Sequence, residues 1–322
     1  MKLLLGLYRL FCMRVVSTYT RHELPGWGRV YDAFVGSYRR DWAWADAEPV
    51  EIVGKLHGYR MRLDLRRWSD RSAYFLRRFY DQETQAVMLA FLRPGETLID
   101  VGANVGMITL LGARLVQPRR GVRFRKAVAG KVIAFEPNPE MAARLNETLQ
   151  KNNIKNVDLR SIALGAQFGH AALHVPRVNP GEGSFGAGAY DADDMEMVDV
   201  KVETGDASLN GAPADFIKID VEGFELEVLK GLAGTLEKFK PGLVIEVDQT
   251  HLARCGLTPR RLFEYLKSLG YELYAPCVRR GVHSLRLAPL SDIDMLQAPN
   301  GVFLHPESAC RQRAKRLIVS AV

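Results

Sequence analysis

The chain is poor in cysteine, and the four it has (Cys12, Cys255, Cys277 and Cys310) lie far apart. No pair has Cys-x-x-Cys spacing, and none stands at zinc-ligand spacing from a histidine, so neither a redox motif nor a zinc module is indicated. Unpaired thiols in a reducing compartment, with the cytoplasm as default, are the expectation. Long apolar runs are absent too. The most hydrophobic stretch, Met1–Arg14, is broken by Lys2, Arg9 and Arg14, and falls short of the roughly 20 residues that span a bilayer. It also lacks the clean apolar core and small-residue cleavage site of a secretory signal. Low-complexity tracts and internal repeats are missing. The net charge of +7 is too small an excess for the chain's length to demand nucleic acid, and no nucleic-acid partner is expected.

What is present begins with an accessory region over residues 1–80. Residues 1–20 have the pattern of a basic, apolar helix that either lies on the inner face of a membrane with its cations reaching headgroups, or docks on protein. A Pro25-Gly26-Trp27-Gly28 break and an aromatic segment with Trp42 and Trp44 follow, and those two rings suit packing or sugar stacking. Val50–Asp64 alternates around a His57-Gly58 turn and predicts a β-hairpin. A second domain is expected over 81–310, with a basic tail over 311–322.

From residue 97 the pattern is strand and helix in repetition. Strands are predicted at 97–101, 131–136, 157–162, 215–220, 243–248, 271–275 and 301–304, and helices at 105–116, 139–152, 223–238 and 258–269. This alternation predicts an α/β fold with a mostly parallel seven-stranded sheet and helices on both faces. The interval 166–214 breaks the rhythm with a hairpin (His170–Val175 and Val198–Val202) around the glycine-rich loop Asn179–Gly188, placed where a lid or recognition element would sit.

Two strand ends carry acids. Asp100-Val-Gly-Ala-Asn-Val-Gly106 is a strand, an acid and a glycine turn opening a helix, and Asp215-Phe-Ile-Lys-Ile-Asp-Val-Glu-Gly223 ends a buried strand on Asp220 and Glu222. In open α/β sheets ligands bind just beyond such carboxyl ends. Gly102 and Gly106 let backbone approach a ligand, and the helix beyond offers free N–H groups. Glu136, ending the next strand, is placed to accept hydrogen bonds from a ribose diol, although an acid is equally at home before a helix. A dinucleotide fits less well: Asn104 replaces the middle glycine of G-x-G-x-x-G, and Asp100 would repel a diphosphate. Asp100 is better matched to an ammonium group, so the pair suits S-adenosylmethionine.

These residues also carry a resemblance. Leu92–Gly106, Val132-Ile-Ala-Phe-Glu-Pro-Asn-Pro139, Ile162-Ala-Leu-Gly165, Ile217-Lys-Ile-Asp-Val-Glu-Gly223 and Glu225-Leu-Glu-Val-Leu-Lys-Gly231 resemble the FkbM family of S-adenosylmethionine-dependent methyltransferases over roughly residues 80–305. The resemblance implies a class I, Rossmann-like methyltransferase fold and O-methylation of a hydroxyl on a small molecule, sugar, glycan or glycolipid. It implies cofactor contacts from Asp100, Gly102, Asn104, Gly106, Glu136, Ala163 and Leu164. Two departures stand out: a basic insertion at Gln117–Lys126, and Thr204-Gly-Asp206 in place of a Thr-Leu-Asp element.

Methyl transfer to a hydroxyl needs a group to take its proton. The catalytic candidates are Asp220, Glu222, Glu246 and His251, with Asp248 nearby and Lys218 either catalytic or paired with a carboxylate. No metal ligand is assigned, although the clustered carboxylates suit Mg²⁺. The rival readings are a nicotinamide-dependent oxidoreductase and a non-catalytic, membrane-peripheral scaffold.

Overall fold

A computed structural model describes residues 2–36, 38–118, 129–177, 180–186, 194–279 and 281–319. The chain divides into two compact units, Met1–Asp81 and Gln82–Val322.

In the first unit the helix Lys2–Phe11 runs through a π-helical turn, Cys12–Val16, into the helix Ser17–Arg21. One side of this rod buries Cys12, Val16, Ser17 and Thr20, while Leu3, Leu4, Leu7, Leu10, Phe11 and Val15 stand exposed. No described helix is long and apolar enough to cross a membrane. Strands β1 (Val50–Val53) and β2 (Arg60–Leu63) pair antiparallel, and the His57 ring fills the space that a side chain at Gly54 would need. The helix Trp68–Leu76 supplies Phe75, which packs edge-on against the wholly buried Trp44. Trp42 is exposed beside Tyr8, so the two tryptophans have opposite settings.

The second unit is built on an eight-stranded sheet flanked by helices. Its strands are β3 (Thr97–Val101), β4 (Lys131–Phe135), β5 (Val157–Arg160), β9 (Phe216–Ile219), β10 (Gly242–Glu246), β11 (Glu272–Val278), β12 (Leu285–Leu290) and β13 (Asn300–Leu304), in the order β12-β11-β13-β10-β9-β3-β4-β5. The stretch from β5 to β10 is parallel throughout, and β13 closes antiparallel on β10. Every residue of β3 is buried, as in a central strand covered on both faces. The sheet has one strand more than the seven predicted. β12 forms its outer edge and carries Pro289, a residue that edges tolerate and that masks the strand pattern in sequence. β6 (Ala163–Leu164), β7 (Gly169–Pro176) and β8 (Met195–Glu203) make a separate three-stranded sheet, which contains the predicted hairpin.

The helices follow local rules. Asn138 caps Pro139–Lys151 through the Glu140 amide, with proline in the first turn. Its Met141, Ala142, Leu145 and Leu149 form the buried stripe. The single helix predicted over 223–238 is instead two, Glu225–Gly231 and Ala233–Phe239. Asp206 explains the break: its carboxylate accepts from the Gly234 and Thr235 amides and the Thr235 hydroxyl, capping a new start. The boundary expected at 310 falls inside the helix Ala309–Ala314, where Arg313 pairs with Glu96. Most of the basic insertion lies in 119–128, outside the described residues.

Candidate active site at the strand ends

From β3 the chain steps outward through β4 to β5, and it later returns to the other side of β3 to lay down β9 and β10. The order therefore reverses between β3 and β9, and such a switch point is where open α/β sheets leave a crevice. Four strand ends lie side by side there, carrying Glu246, Asp220, the Gly102–Gly106 turn and Glu136.

Lys218 is the centre of the arrangement. It pairs in register with Asp100 across β3 and β9, and its side chain is only 6% exposed. Its Nζ donates to the Gly102 carbonyl at 2.6 Å and lies 3.3 Å from Asp220 and 3.6 Å from Asp100. Burial works against its charge, yet Asp220 and Asp100 outweigh that and raise its pKa. Asp100 is wholly buried, with one oxygen taken by the Thr109 hydroxyl. The ammonium that Asp100 meets is therefore that of Lys218, and burial raises its carboxyl pKa. Lys218 braces the glycine turn from beneath through the Val101 and Gly102 carbonyls. Gly102 has φ +78°, and a Cβ there would lie 1.8 Å from the Asp220 carbonyl oxygen, so turn and strand end are packed backbone to backbone.

Glu136 faces the turn from the other side. Its oxygens accept the Asn104 amide at 2.6 Å and the Asn138 amide at 2.8 Å. Burial nevertheless pushes its pKa up to about 7 against those two bonds. Each oxygen keeps a further lone pair for a hydroxyl, so the residue fits a ribose diol. Gly106 caps the helix Met107–Leu115 at φ +90°, with Leu145 where a side chain would go. Ala163 and Leu164 have a different setting. Both side chains are packed away, Leu164 in the main core and Ala163 in the core of the small sheet, so neither is offered to a ligand.

On the β10 side Glu222, Glu246 and His251 come together. His251 Nδ1 lies 2.8 Å from Glu222 and 3.4 Å from Glu246. Glu222 adopts φ +54°, which is uncommon outside glycine. At Gly223 a Cβ would strike the His251 carbonyl, so the loop and the His251 helix interlock. Hydrogen bonds to the two carboxylates raise the His251 pKa to about 11. That shift favours the protonated imidazole and weighs against His251 as a neutral base, while burial raises the pKa of Glu222 and Glu246 beside it. The same three residues form a potential metal-ligand group. One of its donors is a nitrogen, however, and Mg²⁺ prefers an all-oxygen octahedron, so this donor set does not fit Mg²⁺. Asp248 is a helix cap, accepting from the Thr250 and His251 amides.

Several residues have roles here beyond those the sequence reading gave them. Glu225, buried, accepts from the Val221 and Gly223 amides and holds the loop after β9, and burial pushes its pKa up to about 7. Asn104 and Asn138 donate to the Gly181 and Pro180 carbonyls, and the Ser184 hydroxyl donates to that of Glu222. The described part of the glycine-rich loop, 180–186, is thus tied to three strand-end turns. Asn138, in Glu-Pro-Asn-Pro, was readable as a helix cap but not as an anchor for a segment 42 residues away.

Sheet order, switch-point crevice and strand-end acids define an α/β protein of the class I methyltransferase type. Residues 100–273 match the methyltransferase FkbM domain, and the chain belongs to that family. It is 26% identical over 155 residues to methyltransferase 1 of Beauveria bassiana, covering 42% of this chain and 57% of that protein. It is 24% identical over 160 residues to the hexuronic acid methyltransferase AglP of Haloferax volcanii, covering 49% and 58%. The chain spans less than two thirds of either relative. Among solved structures, the methyltransferase FkbM of Methylobacillus flagellatus aligns over 73% of this chain and 52% of that one, at 16% identity and a TM-score of 0.37.

Proposed function

We propose that the protein transfers the methyl group of S-adenosylmethionine to a hydroxyl oxygen, with a sugar or glycan as the acceptor class. The observation that carries this reading is the juxtaposition, at one switch point, of Glu136 and the glycine turn with Asp220 held beside Lys218. The bound donor would supply a methyl carbon on a positively charged sulfur. Glu136 would hold the ribose hydroxyls, and Asp220, partly exposed at 31%, is the carboxylate free to face an incoming hydroxyl. It would take the hydroxyl proton as the oxygen–carbon bond forms and the carbon–sulfur pair returns to sulfur. Lys218, 3.3 Å away, holds Asp220 in place. The Glu222–His251–Glu246 group would stiffen the neighbouring strand end through the contacts of His251 Nδ1 to both carboxylates. Positioning and exclusion of water supply the remaining acceleration.

The acceptor class draws on the hexuronic acid methyltransferase among the relatives. The test is incubation with methyl-labelled donor and a panel of neutral and acidic saccharides, with the methylated atom located by mass spectrometry. Label on saccharide oxygen supports the reading; label only on nitrogen, carbon or sulfur acceptors defeats it. Peripheral membrane contact through residues 1–20 belongs to the same proposal, supported by the exposed side chains of Leu3, Leu4, Leu7 and Phe11. Leu4→Glu combined with Leu7→Glu should abolish vesicle flotation, and undiminished flotation would remove that segment as the anchor.

A further inference from the structure

The first unit holds a concavity of about 480 Å³ lined by Arg21, Glu51, Ile52, Val53, Lys55, Arg60 and Arg77. Four of these seven residues are cations and one is an acid. Three elements converge on it: the end of the helix Ser17–Arg21, the turn between β1 and β2, and the end of the helix Trp68–Leu76. The convergence is built rather than accidental. The Lys55 amide donates to the Arg77 carbonyl at 2.7 Å, and Lys55 Nζ donates to the Arg21 carbonyl at 3.1 Å.

Helix dipoles favour a cation at each of the two helix ends, which accounts for one arginine at each. It does not account for Lys55 and Arg60 arriving from the hairpin. Nor does it account for the Arg21 Nε, which is buried with no hydrogen-bond partner among the described residues. A buried charged donor ordinarily finds an acceptor. Arg77 adds a second anomaly. It sits at φ +56° as the C-cap of its helix, a position usually given to glycine or asparagine. Burial lowers its pKa and the Arg21 charge lowers it further, against the effect of Tyr74. Both arginines line the concavity, Arg77 with its guanidinium over the Tyr74 ring, and neither is ion-paired with an acid among the described residues, so an anion there would meet two cations without a counter-charge. Lys55 is partly neutralised by Glu23, and neither Arg60 nor Glu51 is free of partners, so the argument rests on Arg21 and Arg77.

We propose that this concavity binds a phosphate group, with Arg21 and Arg77 as its principal donors. Phosphate presents several acceptor oxygens to which a guanidinium fork can bond twice, and it carries enough charge to offset both arginines. The same chemistry would be met in a free phosphate ester or in a phospholipid headgroup. The inference stands independently of the reaction proposed above, because every residue it uses lies in the first unit.

The test compares the full-length protein with an Arg21→Gln/Arg77→Asn variant. Asparagine accepts the left-handed backbone at 77 better than arginine does, so the variant should melt no lower than the parent and should bind S-adenosylmethionine equally well. Inorganic phosphate and glycerol 3-phosphate are titrated calorimetrically at low salt. In parallel, sedimentation is measured with phosphatidylcholine vesicles with and without phosphatidic acid. Saturable binding of the soluble phosphates that weakens by at least about tenfold in the variant supports the site with a free ester as its ligand. A phosphatidic-acid-dependent increment in sedimentation that the variant loses, without soluble binding, supports it with a headgroup as its ligand. Absence of both in the parent, or retention of either by the variant, overturns the proposal.

Discussion

Replacing Lys218 by Met tests how the two strand ends are held together. The substitution keeps a long side chain and removes the ammonium. It deletes the 2.6 Å bond to the Gly102 carbonyl and leaves Asp100, wholly buried, without its counter-charge. Breaking a buried pair by removing one partner costs about 3–5 kcal/mol. Asp100 has one escape, which is to take a proton. Each pKa unit is worth about 1.4 kcal/mol, so protonating an ordinary aspartate at pH 7 costs about 4 kcal/mol, and that sets a ceiling on the charge penalty. The ceiling falls by about 1.4 kcal/mol for each pH unit of acidification. In the parent the lysine pKa is raised, so its contribution is complete at neutral pH and fades only above about pH 10. The gap between parent and Lys218→Met should therefore be about 3–5 kcal/mol at pH 7 and narrow by about 2 kcal/mol or more at pH 5. Adding Asp100→Asn should recover most of the loss at pH 7, leaving the deficit of the Gly102 bond. Urea unfolding followed by circular dichroism at both pH values reads all three. A loss under about 1 kcal/mol at pH 7, or one that does not change with pH, would refute the assignment of Lys218 as the buried counter-charge.

Three further outcomes are expected. Glu136, raised to about 7, favours the protonated native state, so its contribution to stability declines as pH rises from its unfolded value through 7. Glu136→Gln should flatten that decline in melting temperature, and should also remove a rise in S-adenosylmethionine affinity between pH 6 and 8. Asp220→Asn should lower kcat by about 10²–10⁴-fold while changing donor affinity little; equal loss of both, read by single-turnover kinetics and calorimetry, would make Asp220 a structural partner of Lys218 only. His251, with its pKa raised to about 11, contributes stability fully present below its unfolded value and lost as pH rises towards 11. The stability gap between parent and His251→Gln should accordingly narrow from pH 7 to pH 10 in chemical unfolding, and a gap that widens would contradict the imidazolium assignment.

The centre of the sheet was legible because its strands are buried on both faces and read as short apolar runs ending in acids, as Thr97–Val101 and Phe216–Ile219 show. β12 was not, because Pro289 and exposed Arg286 blur an edge strand that needs only one partner. The acids at the strand ends were legible as a set, but not their division of labour. Which carboxylate faces the crevice depends on the registers of β3, β9 and β10, and on helix caps closing from far along the chain. Asp100 turned inward because it met the buried Lys218 and Thr109 from distant positions, whereas Asp248 turned to the amides of its own helix as a local N-cap. His251 is the sharpest case. Histidine's ordinary pKa suggested a base, and two carboxylates from different loops raise that pKa and favour the cation.

The central claim is that the crevice between β3 and β9 binds S-adenosylmethionine. Calorimetric titration of the purified protein with S-adenosylmethionine, S-adenosylhomocysteine and NADH addresses it directly, with Glu136→Gln as the control. The account predicts saturable binding of the first two, weakened by about tenfold or more in the variant, and no heat from NADH. Binding of NADH alone, or methyl-donor binding untouched by Glu136→Gln, would contradict it.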